Sequence, residues 1–178
     1  GQRVQVDVKP VPSSCIVSEN GERYYQYTAI DEFSRFRYVE AFRELSTYSS
    51  AVFLEHMLKA FPFKVECVQT DNGPEFTKHY GSRNSSALTM FEKRLEEHGI
   101  RHKKIRPFTP KHNGKVERAH RKDNEYFYAS HRFYSFEDFA KQLKVHNRRY
   151  NAFPMRPLGW RSPKDTLYDF LLYGVTYV

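Results

Sequence analysis

The sequence predicts an α/β domain in which helices flank a mixed sheet of five strands. Alternation typical of a strand opens the chain, because Val4, Val6 and Val8 alternate with polar residues, Asp7 among them. Helical spacing of apolar residues begins later, at Ala51. The segments then follow the order three strands, helix, strand, helix, strand and further helices, and this mixture of types favours an α/β fold.

Two further strands are predicted at residues 24–30 and 36–42. Asn20-Gly21 is a strong hairpin-turn signal ahead of the first of them. Asp31 lies between the two strands, three residues before Ser34. A turn role for Asp31 is favoured there over a role as a metal ligand.

A helix capped at Ser46 or Thr47 precedes a short apolar strand at residues 65–69. Asp71 follows this strand directly, at the edge where open α/β sheets bind ligands. Taken alone, Asp71-Asn72-Gly73-Pro74 is more typical of a turn, so both interpretations stay open at this point.

The second half of the chain is predicted to be mainly helical. Its segments are a polar loop at 78–89, a helix at 90–98, a weak strand at 100–105, a helix from about 113 to Ser130, a helix starting at Ser135 and a short helix at 163–172.

The helix near residue 113 starts within a strongly basic stretch, residues 106–121. Asn113 or His112 offers its cap, and Glu117 falls in its first turn. Two interpretations remain open from the residues alone. Glu117 is either a solvated acid on a capped surface helix or a ligand that faces an anionic partner.

Charge favours a polyanionic partner, most commonly nucleic acid. Lys and Arg number 29 against 21 Asp and Glu, which gives a net charge of +8 and a pI of about 9.4. No apolar run is long enough to span a membrane, and no membrane partner is expected. Two cysteines without metal-ligand spacing favour a reduced, cytoplasmic setting.

Three acids are placed where they can converge. If the first strand is central and the fourth lies beside it, Asp7 and Asp71 become neighbours, and a helix packed across that edge brings Glu117 to the same point. Such a cluster needs cations to stay ionised, and hard divalent ions fit oxygen ligands. Two ions about 4 Å apart can stabilise both oxygens of an in-line phosphoryl transfer.

The motifs carry a resemblance to a known family. They are Gln5-Val6-Asp7-Val8-Lys9, Ala29-Ile30-Asp31-Glu32-Phe33-Ser34-Arg35-Phe36, Thr70-Asp71-Asn72-Gly73-Pro74-Glu75-Phe76 and Thr109-Pro110-Lys111-His112-Asn113-Gly114-Lys115-Val116-Glu117-Arg118, with Tyr150-Asn151, Arg156-Pro157-Leu158 and Ser162-Pro163 near the end. In this order they resemble the catalytic core of DDE transposases of the bacterial insertion-sequence type, which are related to retroviral integrases.

The resemblance implies a ribonuclease-H-like fold and a catalytic, metal-binding triad of Asp7, Asp71 and Glu117. Two Mg²⁺ ions, replaceable by Mn²⁺, are expected there, with Asp7 bridging both. The implied reaction is hydrolysis of a phosphodiester at a transposon end, followed by strand transfer into target DNA. The candidate DNA contacts are Asn72, Lys111, His112, Asn113, Lys115, Arg118, His120 and Arg121.

The implied partners are transposon-end and target DNA and further copies of the chain, with a dimer in the active complex. The implied location is the bacterial cytoplasm, at the nucleoid during the reaction. Two other classes stay open. One is a related nuclease or resolvase without strand transfer, and the other is a domesticated, non-catalytic DNA-binding protein.

The domain organisation follows from the same motifs. Residues 1–151 are expected to form the catalytic core, and residues 152–178 a tail that packs on the core or on a partner subunit. Forty-five residues lie between Asp71 and Glu117 (117 − 71 = 46), which is more than the family's usual spacing, and the excess is placed at residues 78–89. No helix-turn-helix pattern precedes Asp7, so the chain is expected to be either a core excised from a longer protein, which is favoured, or a homologue that lacks such domains.

Overall fold

A mixed sheet of five strands lies at the centre of the computed structural model, which describes residues 1–17, 21–77, 87–105 and 113–174. The strands are β1 (Val4–Pro10), β2 (Tyr25–Asp31), β3 (Arg37–Phe42), β4 (Cys67–Thr70) and β5 (Arg101–Lys104). Their order across the sheet is β3-β2-β1-β4-β5. β1 is antiparallel to β2 and parallel to β4, so the predicted mixed sheet with the first strand at its centre is confirmed.

Five α-helices lie in the described part of the chain. They are α1 (Thr47–Ala60), α2 (Met90–Glu97), α3 (Gly114–Asp123), α4 (Phe136–Ala152) and α5 (Pro163–Tyr173). The helical path of α3 continues through one π-helical turn, Asn124–Tyr128. It therefore ends close to Ser130, where the sequence predicted the end of this helix.

Hydroxyl side chains start four of these five helices, because they accept the backbone N–H groups that a first turn leaves without partners. Ser46 accepts from the N–H of Ser49 at 3.0 Å, and Ser135 accepts from the N–H of Asp138 at 3.1 Å. Both predicted caps are thus confirmed. At α2, Thr89 forms a capping box with Glu92.

The predicted hairpin before β2 is longer than a two-residue turn. Residues 11–24 connect β1 to β2 and include a 3-10 turn at Ser13–Cys15. Asn20 lies outside the described residues, while Gly21 has a φ of 63°, a value that suits glycine. Asp31 takes the predicted turn role, since its Oδ2 accepts from both the N–H and the hydroxyl of Ser34.

The two faces of the sheet are covered by different helices. On one face, Val4 and Val6 of β1 belong to a buried cluster with Phe53 of α1 and Phe91 of α2. On the other side of the sheet, α4 contributes Phe139 and others to a second cluster. Because side chains alternate along β1, its polar residues face the side of the sheet that carries α3 and α4.

Both cysteines, Cys15 and Cys67, are buried free thiols. Within the described ranges, no helix is long and apolar enough to cross a membrane. Helix α5 buries Pro163, Thr166 and Leu167 and leaves the apolar side chains of its last turns exposed.

Candidate active site

The strand register places Asp7 next to Asp71. In the parallel pair of β1 and β4, Gln5 lies opposite Gln69. Continuing this register by two residues brings Asp7 opposite Asp71, the first residue beyond β4. Asp7 in the middle of β1 therefore lies beside the carboxyl end of β4, which is the position that Asp71 follows.

The polar residues of β1 also position α3. Alternate side chains along the strand contact successive turns of the helix: Gln5 contacts Lys115 and Val116, Asp7 contacts His120, and Lys9 contacts Asn124 just after α3. Alternate strand residues are about 6.7 Å apart. Four helical residues span about 6 Å, so the two elements stay in register over this length. The side chain of Asp7 is thereby held against the helix that carries Glu117.

The N-terminus of α3 is capped from β1, and this corrects the sequence prediction. Asn113 occupies the N-cap position, but its φ of −104° and ψ of 17° depart from the usual extended conformation, and its side chain makes no cap hydrogen bond. Instead, Oε1 of Gln5 accepts from the N–H groups of Lys115 at 3.1 Å and Val116 at 3.3 Å. His112, the alternative predicted cap, lies outside the described residues.

His120 joins Asp7 to strand β2. Its Nδ1 lies 3.3 Å from Oδ2 of Asp7, and its Nε2 lies 3.0 Å from the hydroxyl of Thr28. The two ring nitrogens therefore hold the His120 side chain between the carboxylate of Asp7 and the hydroxyl of Thr28.

A hydrogen-bonded chain continues from Thr28 into the interior. The amide nitrogen of Gln26 donates to Thr28 at 3.0 Å and to Oδ2 of Asp123 at 2.8 Å. Asp123 pairs with Arg37 at 2.8 Å and with His146 at 2.7 Å, and the side chains of Asp123 and Arg37 are 1% and 0% exposed. Because Asp123 ends α3, this buried network fixes the C-terminal end of that helix to the sheet and to α4.

Hydrogen bonds hold the loop after β4 in place. The N–H of Gly73 donates to Oδ1 of Asp71 at 3.0 Å, and the hydroxyl of Thr70 donates to the carbonyl of Asp71 at 2.7 Å. Asn72 was predicted to contact DNA, and its amide nitrogen donates to the carbonyl of Ile105 at 2.9 Å. The Asn72 side chain thus ties this loop to the end of β5.

The pKa values of two acids at this edge, Asp71 and Glu75, are raised. Burial raises the pKa of Asp71, the N–H of Gly73 partly offsets this, and the nearby charge of Asp7 adds to it. Burial likewise raises the pKa of Glu75, which Asp71 and Asp7 raise further. Glu75 was not among the predicted site residues, although it stands four residues after Asp71 in the same motif.

Two family profiles match this chain. A family profile described as "Integrase core domain" matches residues 1–110, which is more than half of the chain. A second profile with the same description matches residues 98–163. The chain belongs to the integrase core domain family.

Curated relatives of this integrase core include viral and transposon proteins. It is 28% identical over 167 residues to the protein assigned as integrase ORF3 of Spiroplasma virus SpV1-C74, covering 79% of this chain and 44% of that protein. It is 30% identical over 111 residues to the retrovirus-related Pol polyprotein from transposon RE2 of Arabidopsis thaliana, covering 61% of this chain and 7% of that protein. The integrase core thus spans less than half the length of these relatives.

Solved structures share the fold. A chain from the simian T-cell lymphotropic virus intasome, solved in complex with the PP2A regulatory subunit B56 gamma, has a TM-score of 0.68 at 18% identity, covering 92% of this chain and 53% of that chain. The catalytic core domain of BIV integrase has a TM-score of 0.61 at 19% identity, covering 92% of this chain and 91% of that chain. The predicted ribonuclease-H-like fold is therefore confirmed.

Together, the profiles and relatives confirm the predicted transposase or integrase catalytic core. Neither of the other classes that the sequence left open is favoured. Polynucleotidyl transfer is the activity that the family implies in general.

The third predicted acid of the integrase core, Glu117, lies in the first turn of α3 and is exposed. Asp7, Asp71 and Glu117 together would offer the carboxylate oxygens that Mg²⁺ and Mn²⁺ prefer, so the donor types fit a divalent ion. In the described ranges, no three His, Cys, Asp or Glu side chains come close enough together to hold a metal ion. The ligand roles of these three acids therefore stay a prediction.

The predicted DNA contacts differ in their accessibility. Arg118 and Arg121 are exposed on α3, whereas Asn113 and His120 are buried. Lys115 is partly buried, and its Nζ donates to the carbonyl of Glu32 at 2.9 Å. Lys111, His112 and most of the predicted loop at 78–89 lie outside the described residues.

Proposed function

We propose that this integrase core is the metal-dependent catalytic centre of a DNA transposase. It would hydrolyse a phosphodiester at a transposon end and then transfer the freed 3′-hydroxyl end to target DNA. The observation that supports this most directly is the juxtaposition of Asp7 and Asp71 on neighbouring strands, with the helix that carries Glu117 packed across β1.

Asp7, Asp71 and Glu117 would hold two Mg²⁺ ions, which Mn²⁺ could replace, with Asp7 shared between them. When bound, the ions would supply charge stabilisation at the attacking and leaving oxygens of the phosphoryl transfer. The chain's own contribution is orientation. His120 fixes one oxygen of Asp7, and the N–H of Gly73 fixes one oxygen of Asp71.

The basic balance of the chain, with a net charge of +8, supports transposon-end and target DNA as partners. Assembly into a homo-oligomer, with a dimer as the active form, is part of the same proposal. The exposed apolar side chains on the last turns of α5 support it. The bacterial cytoplasm, at the nucleoid, is the proposed location.

A strand-transfer assay tests the proposal. The protein that carries this core is incubated with labelled duplexes of its own element ends, a target plasmid and Mg²⁺ or Mn²⁺. We expect nicked ends and end-to-plasmid products, both lost in Glu117→Gln and in EDTA. Nicking without joined product would support a nuclease or resolvase, and duplex binding without any cleavage would support a non-catalytic DNA-binding protein.

A further inference from the structure

Strand β5 forms one edge of the sheet and is fixed to the loop that carries Asp71. It is the last strand in the order β3-β2-β1-β4-β5 and is parallel to β4. The N–H of Ile105 donates to the carbonyl of Thr70 at 3.0 Å, and the amide nitrogen of Asn72 donates to the carbonyl of Ile105 at 2.9 Å. These bonds join the end of β5 to the residues on both sides of Asp71.

The side chains of β5 alternate between the two faces of the sheet. Two of them contact α2, because the ring of His102 lies 5.5 Å from that of Phe91 and Lys104 forms an ion pair with this helix at 2.7 Å. The other two, Arg101 and Lys103, therefore project from the opposite face.

This opposite face is the one that carries α3 and Asp7. Gln5, whose side chain caps α3, lies opposite Gln69 of β4, and Gln69 in turn lies opposite Lys103. Residues at paired positions of neighbouring strands point to the same face of a sheet, so these three form one row across it. Asp7 and Asp71 follow two residues further along their strands, on the same face.

The register also sets the distance between Lys103 and the acid after β4. Neighbouring strands lie about 4.8 Å apart, and each residue adds about 3.3 Å along a strand. Asp71 is two residues beyond the partner of Lys103, so the two Cα atoms are about 8 Å apart. Because lysine has a flexible four-carbon side chain, its amine can reach a phosphate that lies beside Asp71.

Both side chains on this face are exposed, and within the described ranges neither Arg101 nor Lys103 makes an ion pair or a side-chain hydrogen bond. Residues 106–112, which follow β5 and lie outside the described part, include no Asp or Glu in their sequence. On the other face, Lys104 is paired with Glu92. The strand thus carries a neutralised charge towards α2 and two charges without a described counter-ion on the side of the acids.

We propose that Lys103 and Arg101 bind backbone phosphates of the DNA strand that enters the acidic site. Lys103 would contact a phosphate next to the reacting one, and Arg101, about 6.6 Å further from the site along β5, would contact the strand beyond it. Such phosphate contacts fix the register of the DNA without reading its sequence. The inference rests on the proposed action on DNA, and it adds two residues of β5 to the predicted DNA contacts.

Binding of 30-base-pair duplexes, followed by fluorescence anisotropy in EDTA over a series of salt concentrations, tests this inference without depending on catalysis. Loss of one phosphate contact should reduce the slope of log affinity against log salt by about 0.9. Lys103→Gln should show this change and bind roughly five- to tenfold more weakly near 0.1 M salt. An element-end duplex and one of unrelated sequence should be affected equally, and Lys103→Arg should retain the slope.

Lys104→Gln is the matched control, because it removes the same charge from the next residue of the same strand but from the opposite face. Charged side chains on an edge strand also hinder pairing with the sheet of another molecule. That protective role does not distinguish the two faces, whereas the proposed phosphate contact does. Lys104→Gln should therefore leave DNA affinity and salt slope close to those of the wild type.

Cross-linking tests the position of the contact. Both native cysteines are buried, so a Cys introduced at position 103 is the reactive thiol at this edge. Lys103→Cys should form a disulfide with a thiol tethered to the phosphate next to the cleavage position of an element-end duplex. Lys104→Cys should react with it at least fivefold less.

The outcomes separate this inference from the proposed function. If the wild type and Lys103→Gln bind DNA with the same affinity and slope, the contact is wrong and the proposed function stands. Equal losses in Lys103→Gln and Lys104→Gln, or equal cross-linking from both positions, would also overturn the contact. A wild-type protein that binds no duplex would overturn both proposals.

Discussion

Nδ1 of His120 lies 3.3 Å from Oδ2 of Asp7, while the opposite ring nitrogen contacts Thr28 at 3.0 Å. The ring therefore bridges the central strand β1 and its antiparallel neighbour β2. His120 is one turn of α3 beyond Glu117, so one short helix carries both a predicted metal ligand and the side chain that orients another. His120 was predicted from the sequence to contact DNA, and in the structure its ring lies against Asp7.

Replacing His120 with Gln tests its effect on Asp7. The change removes the ring that fixes one carboxylate oxygen, and the loss of such a supporting partner typically costs about 10- to 100-fold in activity or metal affinity. We expect joining activity to fall in this range at limiting Mn²⁺ and to recover in part at high Mn²⁺. DNA affinity in EDTA should stay at the wild-type value, since His120 is 9% exposed.

His56 provides the matched control, because it is an exposed histidine on α1 that pairs with Glu40 at 2.9 Å. His56→Gln should leave the Mn²⁺ dependence unchanged. A His120→Gln protein with the same Mn²⁺ dependence as the wild type would show that His120 does not orient Asp7.

The charge of Asp71 should destabilise the metal-free protein. Its pKa is raised mainly by burial, so the folded state favours the protonated form, and stability is lost as pH rises through the folded pKa. Asp71→Asn should therefore raise the Tm in EDTA at pH 7, and the difference should disappear below about pH 4, where the wild-type acid is protonated. The same variant should lose cleavage and joining. A Tm gain that is equal at pH 7 and pH 3.5 would exclude charge as its cause.

How much of the site was predictable depends on the range of the interactions. The alternation along β1 and the acid directly after β4 are local signals, and they sufficed to place Asp7 and Asp71 on their strands. That the two acids are neighbours depended on an assumed strand order, which the structure confirms. The cap of α3 was not predictable, since Gln5 is separated from Lys115 by more than one hundred residues and nothing local marks it as a cap. Asn113 has the residue type of a cap without its backbone conformation.

His102 should make the stability of the fold depend on pH in mildly acidic solution. Its Nε2 lies 2.9 Å from the hydroxyl of Thr70, which itself donates to the carbonyl of Asp71, so Nε2–H is the donor. Burial and the charge of Lys104 lower the pKa of His102 to about 4. The unfolded chain binds this proton more tightly, so stability should fall as pH drops from about 6.5 to about 4.

We expect this loss to be on the order of 2–3 kcal/mol, and His102→Gln should remove most of it. Urea unfolding at pH 7, 5.5 and 4.5 measures both. His98→Gln is the control, because His98 is exposed and pairs with Glu55. Equal pH dependence in the wild type and His102→Gln would show that another group causes it.

The buried pair of Asp123 and Arg37 should contribute most where both are charged. Burial opposes the charge on Asp123, but Arg37, His146 and Gln26 outweigh it and hold the pKa of this carboxyl well below its usual range. Asp123→Asn would leave the fully buried guanidinium of Arg37 without its counter-ion, which should cost about 3–5 kcal/mol in the free energy of unfolding. For comparison, Glu97→Gln in the exposed pair with Arg94 should cost less than about 1 kcal/mol.

The cost of Asp123→Asn should also depend on pH. A carboxyl with a lowered pKa stabilises the fold above its unfolded pKa and loses this effect as pH falls. The cost of Asp123→Asn should therefore be constant from pH 7 to about pH 5 and shrink below about pH 4. Urea unfolding over this pH range measures it, and a cost no larger than that of Glu97→Gln at pH 7 would show that the pair does not hold α3 in place.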